Sequence, residues 1–270
     1  MEKILFLTLV CIASVANAAN ETANRDSNQH WMEFSNKCPF TVWVGALAAA
    51  GHTLPKNGGW EMSSWETTKI ALPLHWSGRF WGRRDCARQS DGSFYCVTGD
   101  CGRRFECAGA GGEPPATLAE FTFNAHEGLD FYDVSLVDGY NLPVAIEPVG
   151  GTYESGAGIC QTCGCNKDLN EICPYELRVV YNGWTVGCKS ACSALREDRY
   201  CCAGEYNCSP HADWCAPGTK PCDPNTWPTN YASIFKQACP TSYSYAYDDP
   251  SSTFSCRGNP QVDYRVVFCP

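Results

Sequence analysis

The sequence predicts an all-β sandwich into which a second, disulfide-built module is inserted. Short aromatic and β-branched runs recur along the chain, and Gly and Pro pairs interrupt them at short intervals. Between residues 167 and 238 these runs fade and cysteines crowd together. The 270 residues include 9 Trp, 12 Phe and 13 Tyr. The chain can therefore bury a core of its own, which disulfides would reinforce rather than replace.

The N-terminus is typical of a secretory signal peptide. Lys3 supplies a short basic start, residues 4–15 are apolar, and residues 16–18 form a small-x-small cleavage site. The apolar run is too short to span a bilayer, which needs about 20 residues. We expect residues 1–18 to be the signal peptide, with cleavage after Ala18 or Ala19. The expected product is a secreted, extracellular, soluble monomer without a transmembrane segment.

Five strands and one helix are expected, in chain order, from residue type and local pattern. The helix is Tyr231–Ala238, inside the module where strand signals fade. Each expected strand is short and rich in aromatic or β-branched residues. These strands are Trp31–Phe34, Thr41–Val44, Leu118–Phe123, Phe131–Val137 and Tyr264–Phe268.

The cysteines indicate an oxidising compartment. The chain has 20 cysteines, and Cys11 lies in the expected signal peptide, so 20 − 1 = 19 remain in the mature protein. Their clusters are irregular, and the only Cys-x-x-Cys unit is Cys160/Cys163, which is not the paired spacing of a zinc site. We therefore expect disulfides, no metal and no cofactor. The odd number leaves at least one free thiol.

The charge is uneven along the chain. The formal net charge is −9, and residues 105–166 carry nine acids without any Lys or Arg. Residues 79–107, in contrast, carry six Arg against four acids. Acids without local counter-charges repel nucleic acid and anionic lipid. A neutral polysaccharide or a cationic partner is easier to accommodate, and we expect no nucleic-acid partner.

Several acids lie on or beside the expected strands. Glu120 and Asp133 are on strands, Asp138 precedes Gly139 at a strand end, and the pair Asp248-Asp249 is far away in sequence. Glycoside hydrolysis needs two carboxyl groups, one protonated and one ionised. Crowded acids raise one another's pKa values. The alternative is that each of these acids, taken singly, is a solvated surface residue. The chain has no GxSxG, Walker, HExxH or dinucleotide-binding motif.

Several blocks of residues together resemble the thaumatin-like protein family. They are Gly-Ser-Phe-Tyr-Cys-Val-Thr-Gly-Asp-Cys at 92–101, Leu-Ala-Glu-Phe at 118–121, and the segments 130–143, 200–202, 245–256 and 264–270. The resemblance covers about residues 34–270. It implies a flattened antiparallel β-sandwich core, a disulfide-rich loop and helix domain, and a small disulfide hairpin domain. The expected sandwich is 30–84 plus 121–166 plus 240–270. The loop and helix domain is 167–239, and the hairpin domain is 85–120.

The resemblance also implies a function and a site. The family is associated with antifungal defence and with binding of β-1,3-glucan through an acidic cleft between the first two domains. Carried over by motif, the cleft residues are Arg79, Glu120, Asp133, Asp138 and Asp248. Another cell-wall polysaccharide is an alternative ligand.

Two other functions remain open. Weak endo-β-1,3-glucanase activity would use Glu120 with Asp133 or Asp138, and we expect Glu120 to keep a proton and act as general acid. Arg79 would hold at least one Asp ionised. A protease or amylase inhibitor, or a structural interaction protein, is the third reading. Tyr132, Tyr140 and Phe94 are candidates to stack on sugar rings, with core packing as the alternative for each.

The disulfide pairing is likewise implied by the resemblance. The expected pairs are Cys38–Cys269, Cys86–Cys96, Cys101–Cys107, Cys160–Cys256, Cys165–Cys239, Cys173–Cys188 and Cys192–Cys201. Cys202 is expected to pair with Cys208, Cys215 or Cys222, and the two left over with each other. Cys163 is the odd thiol, which is either buried and inert, bonded to another chain, or displacing a neighbour.

Three features depart from the family pattern or concern modification. Arg103-Arg104 follow Cys101-Gly102, where the family usually has a second Gly, and the basic tip is a candidate to alter ligand choice. The loop from 203 to 231 is longer than usual. Asn20 and Asn207 begin glycosylation sequons, and we expect Asn207 to be unmodified because Cys208 is in a disulfide.

Overall fold

The computed structural model describes residues 28–150, 159–258 and 261–270. The expected signal peptide and the Asn20 sequon lie outside these ranges. The strands are β1 (Gln29–Asn36), β2 (Val42–Ala48), β3 (Gly59–Met62), β4 (Thr67–Pro73), β5 (Ser77–Arg88), β6 (Phe94–Thr98), β7 (Leu118–Thr122), β8 (Asp130–Ser135), β9 (Val144–Val149), β10 (Cys163–Cys165), β11 (Arg178–Tyr181), β12 (Trp184–Cys188), β13 (Ser242–Tyr243), β14 (Phe254–Cys256) and β15 (Asp263–Phe268). The α-helices are α1 (Ala191–Leu195), α2 (Asp198–Cys201), α3 (Tyr231–Ala238) and α4 (Asp249–Ser252).

Two sheets form the centre of the molecule. The first has the strand order β10-β9-β15-β1-β4. The second has the order β13-β8-β7-β5-β2-β3, with β14 also paired to β8 and β6 also paired to β5. Neighbouring strands are antiparallel except for β1 with β15 and β13 with β8, which are parallel. The predicted mainly β class is therefore confirmed.

Aromatic side chains join the two sheets in one core. Phe34 of β1 packs edge-on against Phe80 of β5, with ring centroids 4.8 Å apart. Tyr264 of β15 lies 5.5 Å from Phe121 of β7 and 5.3 Å from Tyr132 of β8. All five rings are buried. Such pairs contribute about 0.5–1.5 kcal/mol each beyond their buried area, so they hold the sheets face to face.

Strand β5 connects the sandwich to the segment 85–120, where we expected the hairpin domain. Its first part pairs with β2 and β7, and its end pairs with β6. Buried Arg83 donates hydrogen bonds to the carbonyl oxygens of Val44, Arg104 and Phe105. Burial lowers the pKa of Arg83 to about 10, although the charge of Asp100 opposes this. The same segment also holds β6 and the first residues of β7. The domain boundaries themselves remain a prediction.

A second apolar cluster lies in the disulfide-rich region. It joins Leu136 and Tyr140, beyond the end of β8, to Tyr200, Trp227 and Phe235. Helix α3 has the predicted bounds, and the side chain of Asn230 caps it by accepting a hydrogen bond from the Ser233 backbone N–H at 3.0 Å. The sequence reasoning missed the hairpin of β11 and β12 in this region.

The predicted strands all exist, but their ends differ. β8 ends at Ser135, two residues earlier than expected. The Leu136 N–H donates a hydrogen bond to the Tyr243 carbonyl oxygen, and the chain then turns at Asp138-Gly139. Gly139 has φ +88°, which favours glycine. β1 and β2 are longer than expected, because pairing with long neighbours continues past the apolar runs.

The structure contains nine disulfides, including the seven pairs implied by the resemblance. The remaining bonds are Cys202–Cys222 and Cys208–Cys215. Cys163 is free and buried. Asn207 is exposed, and its side-chain oxygen accepts a hydrogen bond from the Tyr247 hydroxyl.

Candidate functional site

Three charged side chains form a row across the second sheet. Arg79 on β5 lies directly opposite Glu120 on β7, and Glu120 lies directly opposite Asp133 on β8. Opposed residues of adjacent strands share one face of a sheet, with Cβ atoms about 4.5–5.5 Å apart. The residues next to these three along the strands point into the core instead, and they are Phe80, Ala119, Phe121 and Tyr132. The row therefore lies on the outer face, and Glu120 and Asp133 are close neighbours.

Arg79 and Glu120 form a partly exposed ion pair. The distance from Arg79 Nη1 to Glu120 Oε1 is 3.6 Å. Burial raises the pKa of Glu120, the positive charge of Arg79 lowers it, and the negative charge of Asp138 raises it further. Because exposed pairs contribute only about 0–1 kcal/mol, this pair orients the two groups more than it stabilises the fold.

Asp138 joins the row from the turn that follows β8. Burial raises its pKa, and the charge of Arg79 opposes that rise. The guanidinium of Arg79 thus acts on both Glu120 and Asp138, but burial outweighs its effect at Asp138, whose pKa remains raised.

Asp133 has the most strongly shifted pKa of the acidic row. Burial raises its pKa well above the usual range, and the negative charges of Glu120 and Asp249 add to the rise. Its Oδ1 atom is buried without a hydrogen-bond partner among the described residues. Among the acids of the row, Asp133 therefore favours its protonated form most strongly, and burial also raises the pKa of Glu120, the acid that the sequence analysis assigned to this role.

Asp248, expected in the cleft, is engaged elsewhere. Its Oδ2 accepts hydrogen bonds from the backbone N–H and the hydroxyl of Ser244, at 3.0 and 2.8 Å. The ammonium of Lys236 lies 3.0 Å from the same oxygen. Asp248 also lines a groove with Lys236, Asn230 and Tyr245. The charge of Asp248 is therefore engaged by Ser244 and Lys236.

Asp249, the next residue along the chain, acts directly on the acidic row. Its charge acts on Asp133, and its Oδ1 accepts a hydrogen bond from the Tyr243 hydroxyl at 2.9 Å. Tyr243 lies on β13, which pairs with β8 at Ser135. The sequence signal for this site was the Asp248-Asp249 dipeptide. Helix α4 begins at Asp249, and the backbone direction at this point sends the two carboxyl groups to different neighbours. The acidic cluster is therefore Arg79, Glu120, Asp133, Asp138 and Asp249.

The three aromatic residues expected to stack on sugar rings are buried. Tyr132, Tyr140 and Phe94 are all inaccessible core residues. Tyr140 donates its hydroxyl hydrogen to the Lys167 carbonyl oxygen at 2.9 Å, so it fastens the turn after Asp138 to the disulfide-rich region. Core packing, which was the alternative to sugar stacking, is therefore correct for all three residues. The basic tip is also engaged, since Arg103 pairs with Asp91 at 3.2 Å.

Two cavities border the acidic cluster. One, of about 300 Å³, is lined by Arg79, Glu120 and Asp133 together with residues from β2 and the start of β5. The other, of about 90 Å³, lies between Asp138 and the helices α1 to α3, and Trp227 and Tyr245 are among its lining residues. The first is at the small end of ligand-sized pockets.

Metal sites and membrane-spanning helices are the two remaining features to consider in the described residues. Within residues 28–150, 159–258 and 261–270, no three His, Cys, Asp or Glu side chains are arranged to hold a metal ion. In the same ranges no helix has the length and apolar character needed to cross a membrane.

Comparison with known proteins identifies the family. Residues 36–270 match the model of the Thaumatin family. The pathogenesis-related thaumatin-like protein 3.5 of Cryptomeria japonica is 46% identical over 235 residues, which are 87% of this chain and 88% of that protein. A Prunus avium protein named glucan endo-1,3-beta-glucosidase is 42% identical over 241 residues, 88% of this chain and 90% of its own.

A solved structure shares the fold at much lower sequence identity. The β-1,3-glucanase domain (GH64) from Clostridium beijerinckii superposes with a TM-score of 0.51 at 12% identity, covering 90% of this chain and 98% of that one. The family match and the two relatives each span nearly the whole described chain. The chain therefore belongs to the Thaumatin family, among the thaumatin-like, pathogenesis-related proteins.

Proposed function

We propose that this protein is a secreted defence protein that binds β-1,3-glucan of fungal-type cell walls through its acidic cluster. The observation that carries the proposal is the row of Arg79, Glu120 and Asp133 on the outer face of the second sheet. Carboxylates accept hydrogen bonds from sugar hydroxyls, and a guanidinium donates them. The row borders an open cavity, and one carboxyl oxygen of Asp133 lacks a partner among the described residues. The nine disulfides suit an extracellular protein.

A neutral polymer fits this surface better than a charged one. The cluster combines four carboxyls with a single guanidinium, and burial already disfavours ionisation of Glu120, Asp133 and Asp138. An anionic ligand would add further repulsion, whereas sugar hydroxyls bond to carboxyls in either protonation state. The relative from Prunus avium carries a name that refers to 1,3-β-glucan, which supports this polymer.

Retention on insoluble β-1,3-glucan tests the proposal, with insoluble β-1,4-glucan as the matched polymer. We expect the wild type to be retained on the first polymer, and Glu120→Gln and Arg79→Gln to bind at least about fivefold more weakly. Glu127→Gln is the matched control, because this carboxyl is exposed and lies outside the acidic cluster. Equal retention of the wild type on both polymers, or on neither, would contradict the proposed ligand.

Slow endo-β-1,3-glucanase activity is the second candidate, because Glu120 and Asp133 are opposed carboxyls with unequal pKa shifts. In a two-carboxyl mechanism, protonated Asp133 would be the acid and Glu120 or Asp138 the ionised partner. Release of reducing ends from laminarin should then disappear in both Asp133→Asn and Glu120→Gln. Activity that persists unchanged in both variants would show that this pair does not cleave the glucan.

A further inference from the structure

Exposed apolar side chains concentrate in one short segment outside the acidic cluster. Between residues 172 and 184, the exposed fractions are 53% for Ile172, 86% for Tyr175, 61% for Val180, 42% for Tyr181 and 77% for Trp184. They are five of the ten large exposed apolar residues in the described chain. Single exposed apolar residues are ordinary, but the concentration of five of them in one short segment makes that segment a candidate binding surface.

The aromatic pair at the tip of this segment is held rigidly. Tyr181 lies directly opposite Trp184 across the β11–β12 hairpin. Asn182 and Gly183 form the two-residue turn with φ +50° and +81°, the pattern that pins the register of a hairpin. The disulfide Cys173–Cys188 fastens the base. Two aromatic rings on a preformed scaffold lose little conformational entropy when a partner binds.

The hairpin surface is electrically neutral. Its segment 172–188 contains two charged residues, Glu176 and Arg178. Glu176 accepts a hydrogen bond from the Tyr231 hydroxyl at 2.7 Å, and the Arg178 Nε donates to the Cys173 carbonyl at 2.8 Å. The charges of Glu176 and Arg178 cancel, so the segment carries no net positive charge to attract nucleic acid or anionic lipid. Exposed rings on a neutral surface fit the apolar faces of uncharged sugar rings.

The hairpin is continuous with the acidic cluster through the backbone. Cys188 at its base exchanges two hydrogen bonds with Tyr140, at 2.7 and 2.8 Å, and Tyr140 follows Asp138 by two residues. Counting along the chain, the Cα atoms of Asp138 and Trp184 cannot be more than about 27 Å apart. A glucan chain long enough to span that distance can contact the acidic cluster and the hairpin tip at once.

We propose that Tyr181 and Trp184 form a second contact surface for β-1,3-glucan, which extends binding beyond the acidic cluster to long chains. This inference rests on the proposed function of that cluster. It assigns the hairpin to polymer recognition, and it separates the affinity for polymer from the affinity for short oligosaccharides.

Binding of the full chain to two β-1,3-glucans of different length tests the proposal. For Trp184→Ala and Tyr181→Ala, we expect affinity for soluble polymeric β-1,3-glucan to fall about fivefold to tenfold, and affinity for a β-1,3-linked trisaccharide to stay unchanged. Trp184→Phe should restore most of the loss, because it keeps a flat ring. Trp214→Ala is the matched control, since Trp214 is 72% exposed on a different loop.

The possible outcomes separate the two proposals. If the wild type binds both ligands but Trp184→Ala binds polymer normally, the hairpin inference is wrong and the proposed function stands. If the wild type binds neither ligand, both fail. A third arm uses phosphatidylcholine vesicles. Wild-type binding to the vesicles that Trp184→Ala abolishes, with glucan binding intact, would overturn the inference in favour of a membrane contact.

Discussion

Asp133 lies between other acids on the outer face of the second sheet, where its ionised form is poorly stabilised. Burial, Glu120 and Asp249 all raise its pKa. A group whose pKa is higher in the folded state contributes stability while it is protonated, at pH values below the unfolded value of 3.8. That stability is lost as the pH rises through the folded pKa. The residue is therefore better explained by function than by stability.

Asp133→Asn should accordingly stabilise the protein at neutral pH. We expect the free energy of unfolding to rise at pH 7, by about 1.4 kcal/mol for each unit by which folding raises the pKa of Asp133. The gain should vanish below about pH 4, where the wild-type carboxyl is protonated in both states. Guanidinium unfolding at the two pH values measures it. A gain that is equal at both pH values would contradict an electrostatic origin.

Cys163 is the free thiol of the described chain, and it is enclosed within the sandwich. It lies on β10, between the disulfide-bonded residues Cys160 and Cys165. Burial raises the pKa of its thiol well above the usual range, and the charge of Asp133 adds to the rise. The thiolate, which is the reactive form, is therefore disfavoured.

Alkylation of the native protein at neutral pH should leave Cys163 unlabelled, because the thiol is neutral and inaccessible. Unfolding in guanidinium without a reductant should expose one reactive thiol per chain, counted by mass spectrometry after alkylation. Rapid labelling of the native protein, or no labelling after unfolding, would contradict a buried free thiol.

At the scale of elements, Trp81 decides how β5 packs against its neighbours. Its indole is fully buried, and Nε1 donates a hydrogen bond to the Gly99 carbonyl oxygen at 2.8 Å. Glycines flank the ring, because a Cβ added at Gly45 or Gly112 would lie 2.3 or 2.6 Å from it. The ring cannot shift without breaking its hydrogen bond. Arg79, two residues earlier on β5, depends on this placement.

Gly112→Ala should destabilise the fold by about 1–3 kcal/mol, because the new methyl group collides with the Trp81 ring. Gly111→Ala is the matched control, since a Cβ at Gly111 would make an ordinary contact of 3.8 Å with Leu47. Thermal unfolding of the two variants compares them. Equal midpoints would show that the segment at Gly112 moves aside.

The whole molecule is closed by the bond between Cys38 and Cys269, which are 231 residues apart in sequence. The bond lies where β1 and β15 run in parallel, and the Lys37 N–H also bonds to the Phe268 carbonyl oxygen at 2.9 Å. Closing so long a loop restricts the unfolded chain more than closing a short one.

Replacing both Cys38 and Cys269 by Ala should lower the free energy of unfolding by about 5 kcal/mol on the chain-entropy model. Replacing Cys208 and Cys215, which are 7 residues apart, should lower it by only about 2–3 kcal/mol on the same model. Guanidinium unfolding without a reductant ranks the two variants. The opposite order would show that loop length does not govern these contributions.

Much of the fold was predictable because its signals are local or matched by motif. Residues 231–238 have a cap and a composition that favour a helix wherever they lie, and the helix has the predicted bounds. Five of the fifteen strands in the described residues were predicted from alternation and residue type, although their ends depend on partner strands. The missed hairpin contains the short turn Asn182-Gly183, a signal that was available in the sequence.

The candidate site also combines features that sequence motifs can predict with features that depend on residues far apart in the chain. Motif matching predicted Arg79, Glu120, Asp133, Asp138 and Asp248 as cleft residues. In the structure the first three lie in one row, and the charge of Asp249, the neighbour of Asp248, acts on Asp133. It also left the partner of Cys202 open, which the structure shows to be Cys222. Disulfide chemistry and the β class could be predicted from residue types and motifs alone. Three properties of the site emerge only in the folded chain: which carboxyls meet, which of them is most buried and which aromatic rings face solvent. Those properties depend on strand register and chain direction between residues far apart in sequence, which local pattern does not encode.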